Sequence, residues 1–276
     1  MFSRKRYLLA ATALLCLLGA VNARANMLQA LPNMGDLLRW GAFSLGGGIV
    51  TDDDATMVGT TDIYGDVGIA GNGNLTMTGN STIHGDLYWR SNGTLTMKGN
   101  AKVTGNKFHN MNSVLDNGVT EAMNSSALAA SYASSTLYSG INSITMSMTL
   151  NAQHDRPGNS TVLNLMTFNL GNNQTLTLNG AANDVFIFNI SGTFVMGAQS
   201  QILLTGGLSW DDVLFNVRGS GTNVTLNAQS TLRGVLMANN RTVTMDGGAL
   251  VYGEVVSDKL TMKGGSQIQH PPLSSP

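Results

Sequence analysis

The chain has 276 residues, a net charge of −1, and 11% charged against 42% hydrophobic side chains. That balance excludes a disordered chain, which needs few apolar groups and high net charge. It also excludes the ordinary nucleic-acid binder, which needs a basic stripe. Thirty-three glycines and only five prolines point to a turn-rich fold, neither linker-rich nor collagenous.

Residues 1–25 read as a secretory signal. Arg4, Lys5 and Arg6 form a basic start, Tyr7 to Val21 an apolar run, and Ala23-Arg24-Ala25 a cleavage site. Export to the periplasm or the exterior is therefore expected. Cleavage after Ala25 would remove four positive charges and no acid, taking the net charge from −1 to −5. It would also remove Cys16, the single cysteine, leaving no disulfide and no thiol chemistry. No later stretch is long and apolar enough to span a membrane.

Residues 26–48 read as a lead-in that covers the open end of a stack of strands, because an uncovered strand edge is a liability. Leu28, Leu31, Leu37, Leu38 and Trp40 are its apolar positions, and Gly46-Gly47-Gly48 marks a turn.

Residues 49–107 carry one motif three times: ATMVGTTDIYGDV from Ala55, LTMTGNSTIHGDL from Leu75 and LTMKGNAKVTGNK from Leu95. Met57, Met77 and Met97 recur every 20 residues, as do Ile63, Ile83 and Val103. Alternating short strands at a fixed period of about 20 residues are the signature of a solenoid. The Met and Ile positions point inward, and the intervening Thr and Asn outward, because strand side chains alternate. Gly79-Asn80 and Gly85-Asp86 supply corners.

The period of two is lost over residues 108–140. Val119, Met123, Ala127, Ala130 and Leu137 fit one helical stripe, with Ser113 as N-cap and Gly140 as stop. The expectation is one helix lying against the outside of the solenoid through an Ala-rich face, weakened locally by Gly118. Residues 142–159 read either as a strand (SITMSMTL) or as a loop (NAQHDRPGN). Strands then resume through residue 268. FVMGAQSQILLTG, VTLNAQSTLRGVL, VTMDGGALVYGEV and LTMKGGSQI keep the six-residue spacing between two core positions that Met57 and Ile63 set. Residues 269–276 form a tail without a sorting motif.

The two coil blocks, the small-residue helix between them, DVFIFNISGTF, and the DDVLFNVRGSG to VYGEVVSDKLTMKGGSQI ending resemble a class of bacterial exported proteins. The chain is similar to choice-of-anchor A type adhesins and to ice-binding-protein-like solenoids, over nearly all of residues 42–268. The resemblance implies an all-β, discontinuous right-handed β-solenoid with one α-helix packed alongside. It further implies that coils distant in sequence stack as neighbours. Members that bind ice present a broad, flat, Thr-rich face.

Here the outward residue before each core Met or Leu is Thr56, Thr76, Thr96, Thr177, Thr225, Thr244 or Thr261. If those strands stack in one sheet, they form a seven-member ladder for an extended surface such as a polymer, a matrix or ice. The flanking ranks mix in charges: Asp54 and Lys259 on one side, Lys98, Asp246 and Lys263 on the other. Threonine is also what any solvent-facing strand selects.

The remaining polar clusters do not make a metal or cofactor site. Asp52-Asp53-Asp54 lacks the spaced Gly-Asp repeats of calcium-binding solenoids. Asp66, Asp86 and Glu254 follow corner glycines and read as turn chemistry. His154-Asp155-Arg156 has no partner at a metal-ligand spacing. Asp211 and Asp212, if strand-like, point to opposite faces. A carbohydrate-active enzyme needs carboxylates converging on one face, and Trp89 and Trp210 would have to supply its sugar contacts. The expected function is therefore non-enzymatic: a flat, Thr-lined face for adhesion to an extracellular surface, with ice binding as the alternative and glycan catalysis third.

Overall fold

Residues 27, 30–32, 34–52, 60–71 and 73–273 are described by a computed structural model. Among them, twenty strands join into one continuous parallel set, with a 20-residue α-helix, α1 (Asn112–Ser131). The chain is mostly β. Each coil contributes one strand segment to each of three faces, and successive coils stack by parallel pairing. We call these the helix face, the threonine face and the third face.

The stacking order is not the sequence order. The first strand, Trp40–Asp52, pairs on one side with 66–69 and 75–77. On its other side it pairs with the next-to-last strand, Ala42 opposite Val255 and Ile49 opposite Leu260. Asp62–Tyr64 likewise lies against Gln267–Gln269. The first coil therefore sits on the last, and the chain meets itself in the middle of the stack. The 20-residue period holds for the first block only. Later core positions, Leu170, Met196, Leu226, Met245 and Met262, stack in register although their loops differ in length.

The interior is filled by the inward residues of all three faces, and Leu75, Met77, Ile83, Leu226, Met245 and Met262 are all buried in it. Broader coils in the second block admit aromatics. Phe168 stacks on Phe194 at 4.8 Å, and Phe188 on Phe215 at 4.9 Å. In the inward methionine column Met97 lies opposite Met77 as the repeat predicts, Thr51 lies on the other side of Met77, and Met57 lies outside the described residues.

Helix α1 covers the helix face. Its buried residues are Leu115, Gly118, Ala122, Ser125 and Ala129, not the stripe expected from sequence. Met123 is 47% and Leu137 66% exposed. The helix also ends six residues before Leu137, and a separate 3-10 turn holds Thr136–Tyr138. The small-residue stripe wins because the backbone must approach closely. A Cβ on Gly118 would stand 2.7 Å from Cζ of the buried Phe43. Gly118 is thus what lets the helix dock, despite its poor helix propensity.

This cover explains why DVFIFNIS is almost continuously apolar. Phe186, Phe188 and Ile190 belong to the interior, while Val185 and Ile187 belong to a second cluster beneath the helix. Both faces of that strand are buried, as in sheets covered on both sides. The lead-in belongs to the same second cluster through Met27, Ala30, Leu31, Met34, Leu37 and Leu38. It packs along the side of the stack and not over an end. The Glu121 carboxylate of α1 accepts from the Asp36 and Leu37 amides at 3.0 and 3.1 Å.

The two ends of the stack differ. At one end Tyr138, which is buried, seats its hydroxyl between the carbonyl and amide of Asn151. At the other, the strands at 95–97, 102–103 and 107–109 pair on one side only among the described residues, and Leu95, Met97 and Val103 are half-exposed. Lys98, Lys102 and Lys107 are exposed there.

Candidate surface-binding face

Five of the seven sequence-predicted threonines fall in one outward column. Thr96 lies opposite Thr76, Thr261 opposite Thr244, and Thr244 opposite Thr225. Val50 joins the two blocks, with Thr76 on one side and Thr261 on the other. Beyond Thr225 the column continues through Val195 and Asn169. The order is Thr96, Thr76, Val50, Thr261, Thr244, Thr225, Val195, Asn169, and none carries a charge. Rungs repeat at about 4.8 Å. The inward neighbours of the threonines inside the stack are core residues, for example Leu75 and Met77 around Thr76, or Leu260 and Met262 around Thr261; those of Thr96, at the uncovered end, are half-exposed. From Thr76 to Thr225 the column thus stands on a packed support.

Thr177 is not part of this row. Its strand, Thr175–Asn179, pairs with 148–151 and 201–205 on the third face, where Thr177 lies between Thr149 and Leu203. The motif spacing could not separate the two faces, because every strand of every face reads as alternating. Thr56 lies outside the described residues, and Val50 stands where the ladder needed it. Val50 was missed because Gly46-Gly47-Gly48 hides the strand that continues through residue 52.

The flanking columns are mixed, as the ranks read from sequence are. One runs Thr94, Asn74, Gly48, Lys259, Thr242. The other pairs Asp52 with Lys263. Between the threonine and third faces the corners are built by short ladders. Asn100 Nδ2 donates to Asn80 Oδ1 at 3.0 Å, and Gln199 Nε2 to Gln229 Oε1 at 3.1 Å. The opposite corner uses carboxylates: Asp66 Oδ1 accepts the Asp86 amide at 2.9 Å, and Asp86 Oδ1 the Asn106 amide at 2.7 Å. These aspartates serve the turns. Gly85 is required there by space, since a Cβ would lie 2.3 Å from the Gly65 carbonyl oxygen.

The other polar candidates have structural partners. His154 Nδ1 lies 2.7 Å from Asp184 Oδ1. Asp155 accepts the Thr136 amide at 2.8 Å, and Arg156 Nε donates to the Ala133 carbonyl at 2.9 Å. Together they tie the loop to the chain that leaves α1. Asp211 and Asp212 are not strand residues. They form a 3-10 turn capped by Ser209, whose amide donates to Asp212 Oδ2 at 2.8 Å. Burial drives the Asp212 carboxyl up to about 7, against the pull of the Ser209 amide and with the help of neighbouring Asp211. Glu254, read as a corner residue, is fully buried on the helix face. Burial and then the nearby Glu121 hold its carboxyl well above the usual carboxylate range. Trp89 stacks on His109 at 5.0 Å, and Trp210 is buried edge-on to His270. Among the described residues no three His, Cys, Asp or Glu converge as a metal site, and no helix is long and apolar enough to cross a membrane.

Comparison with known proteins places this arrangement. The ice-binding-like family model matches residues 49–266. No curated protein matches the sequence. Among solved structures, the fold is similar to a glycosylated ice-binding protein from an Arctic yeast. That pair has 16% identity and a TM-score of 0.62, covering 88% of this chain and 95% of the other. It is also similar to an ice-binding protein of the Antarctic ascomycete Antarctomyces psychrotrophicus, with 19% identity, a TM-score of 0.55, and 86% and 96% coverage. An ice-binding protein domain of Shewanella frigidimarina has 14% identity, a TM-score of 0.52, and 86% and 95% coverage. At such identities the likeness is one of fold, and it does not support the adhesin name that the coil pattern also resembles. The extent of the family match decides the matter: the chain belongs to the ice-binding-like family.

Proposed function

We propose that the protein binds ice through the column Thr96, Thr76, Val50, Thr261, Thr244 and Thr225, together with Val195. The observation that carries this reading is the uncharged, in-register row across eight successive strands. Ice offers a repeating array of oxygens and no single deep contact. A complementary surface must therefore be regular, rigid and free of groups that hold their own water. Threonine supplies a methyl and a hydroxyl on a fixed χ1, and the two valines supply the methyl without the hydroxyl. Ordered waters between hydroxyls would extend the row laterally at little enthalpic cost. Adhesion, the first expectation from sequence, has no support among the relatives found, and ice moves ahead of it.

The same reading makes the protein non-enzymatic and exported after removal of residues 1–25, with ice as its extended partner. Its coils would wind right-handed, the usual hand for parallel crossover connections.

The test is an ice-recrystallisation and thermal-hysteresis assay on wild type and two variants. Thr261→Tyr places a bulky ring at the centre of the row and is expected to abolish activity. Thr177→Tyr, on the third face, is expected to leave it unchanged. An inactive wild type, or equal losses from both variants, would sink the reading.

A further inference from the structure

The third face is not flat. Its outward column runs Arg233, Tyr252, Gln269, Tyr64, His84 on adjacent strands. Tyr252 and Tyr64 are 38% and 40% exposed, and the shorter Gln269 lies between them. Two strand spacings separate the tyrosine backbones, about 9.6 Å. The result is a slot of about 260 Å³ with Tyr64 and Tyr252 as walls, Gln269 as floor, and His270 and Pro271 closing one side.

One wall, the floor and the closed side are held in place. Tyr64 stacks on His84 at 4.2 Å with the rings parallel, and His84 is paired with the buried Asp62. Gln269 is tied by its amide to Gln267, and His270 by its ring to the Leu38 carbonyl. Each tyrosine also forms the wall of a further depression. Beyond Tyr252 lies one of about 330 Å³, lined mostly by Leu204, Leu208, Trp210 and Pro272 with Arg233 and Ser209, and beyond Tyr64 one of about 400 Å³ with Asp62, Asn80, Thr82 and Lys102. Three neighbouring depressions thus share two aromatic walls; the one beyond Tyr64 is lined otherwise by amides, hydroxyls and a few charges and the one beyond Tyr252 is largely apolar, a mixture that matches a chain of alternating apolar faces and polar edges.

We infer that the third face binds a linear polysaccharide of pyranose rings laid along the stack, with one ring seated between Tyr64 and Tyr252. Carbon–carbon contacts of about 3.5–4.0 Å on each side leave room in the slot for a saturated ring. Its C–H faces then meet the tyrosines, and an equatorial hydroxyl reaches Gln269. A flat aromatic ligand would leave the polar floor unused, and a peptide would leave backbone groups unpaired on a face whose strands are already paired on both sides. The inference does not rest on ice binding, which uses a different face.

The test is titration calorimetry of the full exported chain against cellohexaose, chitohexaose and mannohexaose. At least one is expected to bind. Tyr64→Ala and Tyr252→Ala are each expected to weaken that binding about tenfold, while Tyr64→Phe retains it. Both tyrosines are surface residues, so circular dichroism and thermal melts should match wild type. Thermal hysteresis should be unchanged in all three variants, and Thr261→Tyr should leave sugar binding intact. Absence of binding to all three sugars up to their solubility limits, or binding that survives both alanine variants, would overturn the inference, whatever the outcome with ice.

Discussion

Asn216 donates from Nδ2 to Asn189 Oδ1 at 2.8 Å, and Asn189 donates in turn to Asn164 Oδ1 at 2.9 Å. The ladder crosses three coils on the helix face, and it also reaches the helix. Asn189 Nδ2 reaches the Ala129 carbonyl at 2.7 Å and Asn216 Nδ2 the Ser126 carbonyl at 3.0 Å, while the Ser126 hydroxyl donates back to Asn216 Oδ1 at 2.7 Å. Asn239 does the same for the Ala122 carbonyl at 2.9 Å. Because Asn189 and Asn216 are buried, each amide left unpaired carries its full desolvation cost. Asn216→Leu is therefore expected to destabilise the protein by about 1–3 kcal/mol. Denaturant unfolding gives the total, and faster amide exchange confined to α1 would locate the loss at the helix contact.

Gly118→Ala reverses the usual rule for a helix interior, where alanine gains up to about 1 kcal/mol over glycine. Here the new methyl meets Phe43 at 2.7 Å, so the helix must lift from the stack. A lower melting temperature is expected, by several degrees. A stabilised variant would show that Phe43 yields easily and that close approach is not why glycine stands there.

The charged flank limits the threonine row. Lys259 lies in register with Gly48 and Thr242 beside the column and holds its own hydration shell. Lys259→Thr is expected to raise thermal hysteresis without changing the melting temperature. A decrease would mean that the lysine takes part in contact.

Stability should fall as pH rises through the neutral range. Asp212 has a carboxyl pushed up to about 7 by burial, and Glu254 is held well above its ordinary value by burial and Glu121. Raised folded-state values mean that the protonated forms fold best. The stability is fully present below the unfolded carboxylate value near 4 and is lost as pH climbs through the folded value. For Asp212 that window runs from about 4 to 7, with a cost of up to about 4 kcal/mol. Asp212→Asn keeps an oxygen for the Ser209 amide and removes the charge. It should flatten the profile of melting temperature against pH between those limits. Glu254→Gln should raise the melting temperature at pH 8 and not at pH 4.

The lysines of the uncovered end are expected to keep copies apart. Lys98 follows and Lys102 and Lys107 begin strands that pair on one side only among the described residues, a common guard against edge-to-edge association. Replacing all three by threonine is expected to give concentration-dependent assemblies in analytical ultracentrifugation. A variant that stays monomeric would show that twist or side-chain bulk is sufficient protection.

Much of this protein is written in local pattern. Period-two alternation with recurring Met, Leu and Ile sets the strands and their inward residues, because a strand offers two faces and, where no helix covers it, only one is dry. The loss of that period over residues 108–140 points to a helix, whose observed bounds are the narrower Asn112–Ser131. Pattern also lists the threonines. What it leaves open is which of three chemically similar faces a given strand joins, and which strand is its neighbour. Those depend on loop lengths and on the first coil closing against the last, contacts between residues about two hundred positions apart. Tertiary structure thus put Val50 into the threonine row and moved Thr177 out of it. It turned the helix stripe toward Gly118 and Ala122, because packing distance outranked hydrophobicity there. It also set Tyr64 beside Tyr252 across Gln269, a grouping that no stretch of the chain contains.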